Sequence, residues 1–346
     1  MEGNVYDSAN EALARYPISV KAIAPVSVGH INLTLRIEAE DHSQFILQRI
    51  NPIFGPEVNR NLDRVVTHLE RCGMLTPRLV RSRENELAVV IDNQRWRMLT
   101  FIEGRCVEAI QSNEMAHAVG GLLGRFHNAL VTLDGKLEQS RPSVHDYARH
   151  QRHLREALIK HRNHQYRSDV AALAEPLLSS HQPIPTSELA RSTVHGDPKI
   201  SNVIFGTEDD EALCFVDLDT LGSMPLVFEL GDALRSWCNM AGEDSPAAEF
   251  DGGVFAEAMV AYLAESSGLM SDADLDAIVP ATLQIHYELA SRFLADALEE
   301  AYFRWDHERY DSAAEHNLAR AGAQIRAAES LSRQRADLEA VIAQAR

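Results

Sequence analysis

The sequence is short of cysteine and of positive charge. Among its 346 residues there are only 4 cysteines, and none of them forms a C-x-x-C pair. A disulfide framework or a zinc site is therefore not expected. Lysine and arginine number 33 against 51 aspartate and glutamate residues, which gives a formal net charge of −18. Such a charge repels nucleic-acid phosphates and anionic lipids, so we expect neither as a partner.

Long apolar runs are also missing. No stretch approaches the roughly 18 apolar residues that a membrane helix needs. The N-terminal segment MEGNVYDSANEALARY lacks a basic stretch followed by an apolar one, so no signal peptide is expected. Together with the few, dispersed cysteines, these absences favour a cytoplasmic protein. The composition, 45% hydrophobic and 24% charged, is typical of a globular chain of one large or two ordinary domains.

The first hundred residues have mostly the two-residue alternation of β-strands. Apolar positions alternate over 31–37, and a second run at 45–50 follows a polar turn, which predicts a hairpin. Apolar residues three to four apart over 58–72 predict one helix, and two more strands are expected at 86–91 and 96–102. The sequence thus predicts a small β-rich N-terminal lobe.

The rest of the chain has helical spacing. Helical faces are expected at 119–130 and 283–298, and the charged, Ala-rich tail 311–346 is expected to be a solvated helix that closes the chain. We therefore expect an α+β protein with a β-rich N-terminal lobe over residues 1–103 and a larger, mainly helical C-terminal lobe over 104–346.

A polar cluster lies within the stretch VHGDPKISNVIF, which begins at Val194. The segments 202–206 and 212–217 on either side of a polar turn predict a hairpin with Asn202 opposite Asp217. Opposed residues in such a ladder lie about 5 Å apart. An amide oxygen and a carboxylate at that separation can share one Mg²⁺ ion. Asp219 either completes this metal site or caps the structure that follows.

The spacing H-x-D-x-x-x-x-N, followed by an aspartate in a later strand, matches the template of phosphoryl transfer from ATP. In that chemistry Asp197 orients the acceptor hydroxyl and takes its proton, and Lys199 places a cation against the moving phosphoryl group. His195 braces the loop by hydrogen bonding. The alternative is a turn network without chemistry, because His, Asp and Asn all bond nearby backbone readily.

With H-G-D at 195–197 and D-L-D at 217–219, the sequence resembles the aminoglycoside phosphotransferase and choline kinase superfamily of small-molecule kinases. The resemblance covers most of the chain. It implies a two-lobed, protein-kinase-like fold that binds ATP and Mg²⁺, with the catalytic loop and metal site at 195–219. It also implies that the backbone of Phe101, Ile102 and Glu103, between the lobes, contacts adenine.

Several further motifs resemble the N-acetylhexosamine 1-kinase branch: FILQRIN from Phe45, VDLDT from Val216, FELGDALR from Phe228, RFLADAL from Arg292 and HNLARA from His316. Enzymes of that branch phosphorylate the anomeric hydroxyl of N-acetylglucosamine or N-acetylgalactosamine.

This resemblance implies that Arg292 and Tyr302 hold the sugar and that Asp197 contacts its reacting hydroxyl. Without the resemblance, Arg292 could form a surface salt bridge with Glu288 or Asp296, and Tyr302 could be a packing residue.

The chain departs from the superfamily at the third strand, where a lysine usually grips the α- and β-phosphates. Gln48 and Arg49 stand there instead, and strand alternation lets only one of them face the nucleotide. Charge favours Arg49 and position favours Gln48. The helix glutamate that pairs with that lysine in kinases is equally undecided between Glu57 and Asn61.

Three functions are compatible with these patterns. The first is a kinase that converts a sugar or amino sugar to its 1-phosphate. The second is a kinase of the same architecture acting on an aminoglycoside, choline or an amino alcohol. The third is a kinase-shaped nucleotide-binding module without catalysis. The missing strand lysine supports the third, whereas the intact set Asp197, Asn202 and Asp217 argues against it.

Overall fold

The computed structural model describes residues 2–26, 32–138, 145–180, 183–187, 189–266 and 268–346. Helix α1 (Glu2–Ala14) comes first. The strands of the N-terminal part are β1 (Val20–Pro25), β2 (Leu33–Ala39), β3 (Gln44–Arg49), β4 (Leu79–Val80), β5 (Val89–Ile91) and β6 (Gln94–Thr100). They form one antiparallel sheet in the order β1-β2-β3-β6-β4, and β5 pairs with β6. Helix α2 (Glu57–Arg71) lies between β3 and β4 in sequence.

The tight turns of this sheet use the residues that tolerate a left-handed backbone. His42 has φ 67° in the turn between β2 and β3, and Asp92 and Asn93 have φ 48° and 62° between β5 and β6. Asn and Asp enter this region more easily than other non-glycine residues. The predicted hairpin of β2 and β3, the two strands expected after it and the helix over 58–72 are confirmed. Helix α1 was not predicted, because its buried residues are mostly small and give a weak periodic signal.

The two faces of the sheet pack against different partners. Leu47, Trp96 and Met98 lie on one face, in a core shared with residues of α1. Ile46 and Leu99, one residue away from Leu47 and Met98, lie on the other face and contact the core formed by α2 and the C-terminal part. Strand alternation therefore sends every second residue of β3 and β6 toward the C-terminal part of the molecule.

The C-terminal part is mainly helical. Its helices in the described chain are α3 (Asn113–Leu130), α4 (Tyr147–Lys160), α5 (Arg167–Ser180), α6 (Leu226–Trp237), α7 (Gly252–Glu265), α8 (Asp272–Glu299) and α9 (Ala313–Ala345). Two short antiparallel ribbons interrupt them: β7 (Arg191–Val194) with β10 (Gly222–Pro225), and β8 (Val203–Phe205) with β9 (Ala212–Phe215). The predicted α+β class, with a sheet first and helices after it, is confirmed.

The C-terminal helix differs from the solvated helix that was expected. Ala321, Ala327 and Leu331 of α9 are buried, and the helix packs along α8 and against α7. Small alanine side chains let helix axes approach closely, so an Ala-rich stripe can be a packing face despite its charged surroundings. Within the described ranges, no helix combines the length and apolar character needed to cross a membrane.

Candidate active site

The turn after β7 depends on a glycine. Gly196 has φ 87°, and a Cβ atom there would lie 2.3 Å from the carbonyl oxygen of Thr220. The backbone conformation and the close approach both require glycine at this position. The hydroxyl of Thr220 also donates a hydrogen bond to the carbonyl of His195 at 2.9 Å, so Thr220 contacts both residues of the turn. The turn is thereby attached to the segment that carries Asp217 and Asp219.

Glu229 of α6 holds the backbone of the same turn by hydrogen bonds. Its carboxylate, which is fully buried, accepts the backbone N–H groups of His195 at 2.8 Å and Gly196 at 3.0 Å. The His195 ring donates from Nε2 to the carbonyl of Val216 at 3.0 Å and accepts the backbone N–H of Asp197 on Nδ1 at 3.2 Å. Burial lowers the pKa of His195, so the ring is neutral and acts as a rigid brace.

Asp197 is the group that this bracing positions. Lys199 donates to its Oδ2 at 2.9 Å, and the amide of Asn202 donates to the same oxygen at 3.1 Å and to the Asp197 carbonyl at 2.9 Å. The Asp197 side chain is 25% exposed, so a substrate can reach it. Burial alone would raise the pKa of Asp197, but Lys199 and other nearby cations hold that pKa below its usual value. The carboxylate is therefore ionised at neutral pH.

The hairpin register differs from the predicted one by a residue. Val203 pairs with Phe215, and an irregularity follows between Ile204 and Phe205. The backbone N–H of Val216 donates to the carbonyl of Asn202 at 2.9 Å, so Val216, and not Asp217, lies opposite Asn202. The expected register was wrong because it assumed a regular turn without a bulge. Asn202 itself ends a single 3-10 turn over Ile200–Asn202.

Asp217 has a left-handed backbone, with φ 60° and ψ 49°. This uncommon conformation breaks the alternation of the strand before it and redirects the side chain. Burial and the charge of Asp219 raise the pKa of Asp217 to about 7, while Lys199 opposes that shift. No hydrogen bond to the Asp217 carboxylate occurs among the residues that the structure describes.

Asp219 has a different environment. Its carboxylate is buried. One carboxylate oxygen accepts a hydrogen bond from Asn32 at 2.7 Å, and the other accepts one from Arg97 at 2.5 Å. Of the two roles expected for Asp219, these contacts favour the structural one, because both oxygens are already engaged. In the described part of the chain, no three His, Cys, Asp or Glu side chains form a metal-binding group. A metal here needs the amide oxygen of Asn202 beside Asp217.

Between β6 and α3 the chain runs past the site in an extended linker. The backbone N–H of Phe101 donates to Gln44 of β3 at 3.3 Å, and the guanidinium of Arg36 lies 4.6 Å from the Phe101 ring centre. Within the described chain, Ile102 and Glu103 form no comparable backbone bond. Arg105 then pairs with Phe205 through two backbone bonds of 2.9 Å, which attaches the linker to the catalytic hairpin.

The structure decides between Gln48 and Arg49. Arg49 pairs across the ladder with Trp96 and lies over its ring at 5.9 Å, on the α1 side of the sheet. Of the two candidates left open by the sequence, Arg49 therefore lies on the face of the sheet away from Asp219. Gln48 pairs with Arg97 on the opposite face, and the Gln48 Oε1 atom accepts from Arg97 at 2.7 and 2.9 Å.

Sequence reasoning missed Arg97. The pattern that could have revealed Arg97 is its place in a strand between the buried apolar residues Trp96 and Met98. Strand alternation puts Arg97 on the face of the sheet opposite to these two residues.

Neither candidate for the helix glutamate lies in this cluster. Glu57 stands at the first turn of α2, with its carboxylate against Gly55. Asn61 forms two bonds with the backbone of Glu138, of 2.8 and 2.9 Å, so it braces a loop. Asn59 of the same helix approaches Arg97, with 3.4 Å between Nη1 and Oδ1. Helical spacing puts Asn59 and Asn61 on different sides of α2, which sequence alone could not orient.

Arg292 and Tyr302 lie next to each other at the C-terminal end of α8. The guanidinium of Arg292 is 5.9 Å from the Tyr302 ring centre and 5.5 Å from that of Phe303. Arg292 forms no ion pair within the described ranges, so the surface salt bridge considered as its alternative is not present. Glu288 pairs with His145 at 3.0 Å instead.

Asp296, the other potential partner of Arg292, caps the loop after α8. Its carboxylate accepts the backbone N–H groups of Ala301, Tyr302 and Phe303, and the side-chain amide of Asn317.

Buried charges connect this region with the catalytic loop. Arg235 of α6 pairs with Asp232 at 2.9 Å, and Arg235 is one of the cations that lower the pKa of Asp197. Asp232 and Glu288 both act on His145: burial lowers its pKa, but the two carboxylates outweigh burial and raise it. The charges of the α6 pair thus act on Asp197 on one side and on His145 on the other.

A kinase-like fold is defined by this combination of an antiparallel sheet, a mainly helical second part and a braced Asp-Lys-Asn loop between them. The sequence matches the Phosphotransferase enzyme family, APH, over residues 22–268. The chain belongs to this family of the aminoglycoside phosphotransferase and choline kinase superfamily, whose members are ATP-dependent small-molecule kinases. The superfamily predicted from the motifs is thereby confirmed.

Solved structures of low sequence identity share the fold. An amicoumacin kinase in complex with AMP-PNP, Ca²⁺ and Ami is similar at 16% identity, with a TM-score of 0.64 and coverage of 94% of this chain and 96% of that one. An aminoglycoside phosphotransferase from Alicyclobacillus acidocaldarius has 14% identity, a TM-score of 0.62 and 96% coverage of both chains. A choline kinase from Cryptosporidium parvum has 11% identity, a TM-score of 0.60 and 95% coverage of both chains.

Proposed function

We propose that this protein transfers the γ-phosphoryl group of ATP to the anomeric hydroxyl of an N-acetylhexosamine, such as N-acetylglucosamine or N-acetylgalactosamine, or of a related sugar. The observation that carries the transfer chemistry is the Asp197 carboxylate, ionised, partly exposed and fixed by Lys199 and Asn202. A carboxylate in this state orients an acceptor hydroxyl and accepts its proton. An anomeric hydroxyl is more acidic than an ordinary alcohol, which suits a carboxylate base.

Asn202 and Asp217 are the residues that would hold Mg²⁺. The Asp217 carboxylate has no hydrogen-bond donor in the described chain, and burial beside Asp219 raises its pKa to about 7. An unsatisfied carboxylate of this kind is the donor that a hard cation stabilises, and the Asn202 amide supplies a second oxygen. When bound, Mg²⁺ neutralises charge on the β- and γ-phosphates. Lys199, bonded to Asp197 at 2.9 Å, contributes a side-chain cation at the acceptor side.

The support for a sugar acceptor lies at the end of α8. Arg292 is free of ion pairs in the described chain, and its guanidinium lies over the rings of Tyr302 and Phe303, with Tyr302 57% exposed. An exposed aromatic ring packs well on the apolar face of a pyranose, and an arginine donates to hydroxyl or acetamide oxygens. These two side chains are the ones that the N-acetylhexosamine 1-kinase resemblance implies for sugar binding.

A second candidate acceptor is an amino alcohol, choline or an aminoglycoside. Its support is Glu288, buried on α8, whose Oε2 atom has no hydrogen-bond partner among the described residues. Asp232 adds a second buried carboxylate in the same region. A cationic acceptor would pair with such carboxylates.

An acceptor screen separates these proposals. ADP release is measured with Mg·ATP over N-acetylhexosamines, other hexoses, amino alcohols, choline and aminoglycosides. The sugar proposal expects turnover with an N-acetylhexosamine and a product whose phosphate is released by mild acid, as a glycosyl phosphate is. Turnover with an amine alone selects the second candidate, and nucleotide binding without turnover on any acceptor selects the non-catalytic module.

Arg292→Gln gives an independent test of the sugar contact. It should raise KM for the sugar and leave KM for ATP unchanged. Arg320→Gln is a matched control, because Arg320 of α9 also lies over an aromatic ring, that of Phe293 at 5.5 Å. Equal effects of the two variants on sugar KM would contradict the assigned contact.

A further inference from the structure

A buried histidine lies beside the carboxylate that holds the catalytic turn, residues 195–197. His127, in the last turn of α3, is fully buried, and its Nε2 atom is 3.6 Å from Oε1 of Glu229. The same Oε1 atom accepts the backbone N–H of His195 at 2.8 Å. A separation of 3.6 Å is too long for an ordinary hydrogen bond, but at that distance two polar groups in a dry interior still interact electrostatically. His127 therefore faces the group that fixes the position of the turn.

The buried carboxylate of Glu229 needs polar partners. In the described part of the chain no lysine or arginine forms an ion pair with it, and the side chain within ion-pair distance is that of His127. Burial of a carboxylate is costly unless donors surround it. The backbone N–H groups of His195 and Gly196 are two such donors. Loss of the His127 ring would leave Glu229 with these backbone donors alone.

Tyr262 of α7 indicates which ring nitrogen of His127 carries the hydrogen. The Tyr262 hydroxyl is 3.0 Å from Nδ1 of His127, and the two rings meet edge to face with their centroids 5.7 Å apart. Burial raises the pKa of Tyr262, so the hydroxyl keeps its proton and can donate to Nδ1. A neutral imidazole that accepts on Nδ1 carries its hydrogen on Nε2. The opposite tautomer would direct a lone pair at the Glu229 carboxylate, so the geometry favours an N–H directed at Glu229.

Packing alone does not explain a histidine at this position. Nε2 of His127 has no hydrogen-bond partner among the residues that the structure describes, and a buried donor without a hydrogen bond destabilises a fold. An apolar side chain would avoid that cost. The preceding residue, Phe126, packs its ring 6.2 Å from that of His195, between centroids. The end of α3 thus contacts the catalytic turn through an apolar ring and faces Glu229 with a polar one.

We propose that His127 is a positioning residue for the reaction. Its Nε2–H, oriented by Tyr262, stabilises the negative charge of Glu229, and Glu229 keeps the catalytic turn, and with it Asp197, in place. His127 acts through Glu229 and is not itself a catalytic residue. The proposal rests on the proposed function in so far as it needs turnover, but it does not depend on which acceptor is phosphorylated.

Two substitutions of His127 test the role of its N–H. His127→Leu removes the ring, whereas the amide of His127→Gln places an N–H near the position of Nε2. With the acceptor that the screen selects, kcat of His127→Leu should fall by about 10-fold and KM for ATP should stay within about twofold, because a displaced Asp197 slows the chemistry and not nucleotide binding. His127→Gln should keep kcat within about threefold of the wild type. Thermal unfolding checks that each variant is folded.

Gly120→Ala is the matched control for loss of stability. It disturbs the contact of the same two helices two turns before His127, where a Cβ atom would lie 2.1 Å from the carbonyl oxygen of Ala258. Gly120→Ala should lower the melting temperature and leave kcat unchanged at temperatures where the chain is folded.

A double-mutant cycle and hydrogen exchange separate positioning from packing. In the Glu229→Gln background the carboxylate charge is absent, so His127→Leu should lower kcat by no more than about twofold further. Exchange at the amides of His195 and Gly196 is measured on the full chain relative to other amides of the C-terminal core. It should be about 10-fold faster in His127→Leu, but not in Gly120→Ala.

The outcomes distinguish this proposal from the proposed function. Equal falls of kcat in the two backgrounds, or an equal fall in Gly120→Ala, would show that His127 is only a packing residue. Wild-type kcat and wild-type exchange in a folded His127→Leu would have the same consequence. A wild-type chain without turnover on any acceptor would overturn the proposed function, and hydrogen exchange would then decide the role of His127 by itself.

Discussion

At the scale of single residues, the site depends on carboxylates whose surroundings differ. Asp197 is kept ionised by Lys199 and Arg235, although it is largely enclosed. Asp217 lacks a hydrogen-bond donor in the described chain and has its pKa raised to about 7 by burial and Asp219. Asp219 forms an ion pair with Arg97 and accepts a hydrogen bond from Asn32. Surroundings that shift the pKa values of Asp197 and Asp217 in opposite directions fit the separate roles that we propose for them, base and metal ligand.

The role of Asp197 leads to the first prediction. Asp197→Asn retains the shape of the side chain but cannot accept the proton of the acceptor, so kcat should fall by about 10²- to 10⁴-fold. Nucleotide affinity should stay within a few-fold of the wild type. ADP-release kinetics and calorimetry check both statements, and Asp337→Asn, at an exposed position of α9, is the control. A turnover number near that of the wild type would remove Asp197 from the chemistry.

At the scale of elements, α6 does more than fill the core. Its first turns present Glu229 to the backbone of the catalytic turn, and its last turn presents Ser236, whose hydroxyl accepts the backbone N–H of Ile200 at 3.0 Å. Trp237 donates its indole N–H to the carbonyl of Pro198 at 3.0 Å. Helix α6 therefore fixes the backbone on both sides of Asp197. A substitution that disturbs α6 should for this reason also lower the reaction rate.

Glu229→Gln tests this positioning. The amide has one acceptor oxygen, so one of the two buried N–H groups of His195 and Gly196 loses its partner, at a cost of about 1–3 kcal/mol. We expect a lower melting temperature and a kcat reduced by about 10- to 100-fold, because small misplacements of a catalytic group are costly. Glu257→Gln on α7, where the glutamate is 43% exposed, should change neither. A normal kcat in a destabilised Glu229→Gln would show that the turn keeps its geometry without this contact.

The contact between α3 and α7 requires close approach of two helices. A Cβ atom on Gly120 would lie 2.1 Å from the carbonyl oxygen of Ala258 and 2.7 Å from its Cα. Gly120→Ala should therefore destabilise the fold by about 1–3 kcal/mol or more, through forced separation of the helices. At Gly121 the nearest atom is the flexible end of Arg125, at 3.3 Å, so Gly121→Ala should be neutral or stabilising by up to about 1 kcal/mol. Urea denaturation of the two variants makes the comparison, and equal effects would contradict it.

At the scale of the whole molecule, the sheet and the helical part meet through polar contacts at the site. Asn32 and Arg97 of the N-terminal part both bond Asp219 of the C-terminal part. Asn32 also accepts the backbone N–H of Asn51 at 2.9 Å. The bond network that joins the two parts thus meets at Asp219, two residues after Asp217 in the sequence.

Global stability should depend on pH through His286, deep in the C-terminal core. Its Nδ1–H donates to Gln324 of α9 at 2.8 Å, and burial lowers its pKa to about 3 from the ordinary 6.5. Between these pH values the unfolded chain binds a proton that the folded chain does not. This contribution to stability is complete above pH 6.5 and is lost progressively as the pH falls toward 3.

The linkage predicts a loss of about 2 kcal/mol from this group between pH 7.5 and pH 5. His286→Asn, whose amide can donate to Gln324 in place of the ring, should be less stable than the wild type at pH 7.5 because of the smaller side chain. The difference should shrink or reverse at pH 5. Urea denaturation of both chains at the two pH values is the measurement, and a constant difference would contradict the assignment.

The sequence by itself determined the local features of this protein. Alternation predicted the strands β2, β3, β5, β6, β8 and β9, and helical spacing predicted the helices α2, α3, α8 and α9. The motifs around His195, Asp197 and Asn202 predicted the class of kinase. These signals depend on residues close in sequence. The sequence did not show which face of an element packs against its neighbours. The register of the hairpin, the face of Arg49 and the buried side of α9 required knowledge of what packs against each element.

Only the tertiary structure brought Arg97, Gln48, Asn59 and Asp219 together. These residues come from a strand, its neighbour, a helix and the metal-side segment, and no pattern within any one element shows that they meet. The physical reason is that a buried charge needs partners from several directions, and such a set exists only after the sheet has packed against the helices.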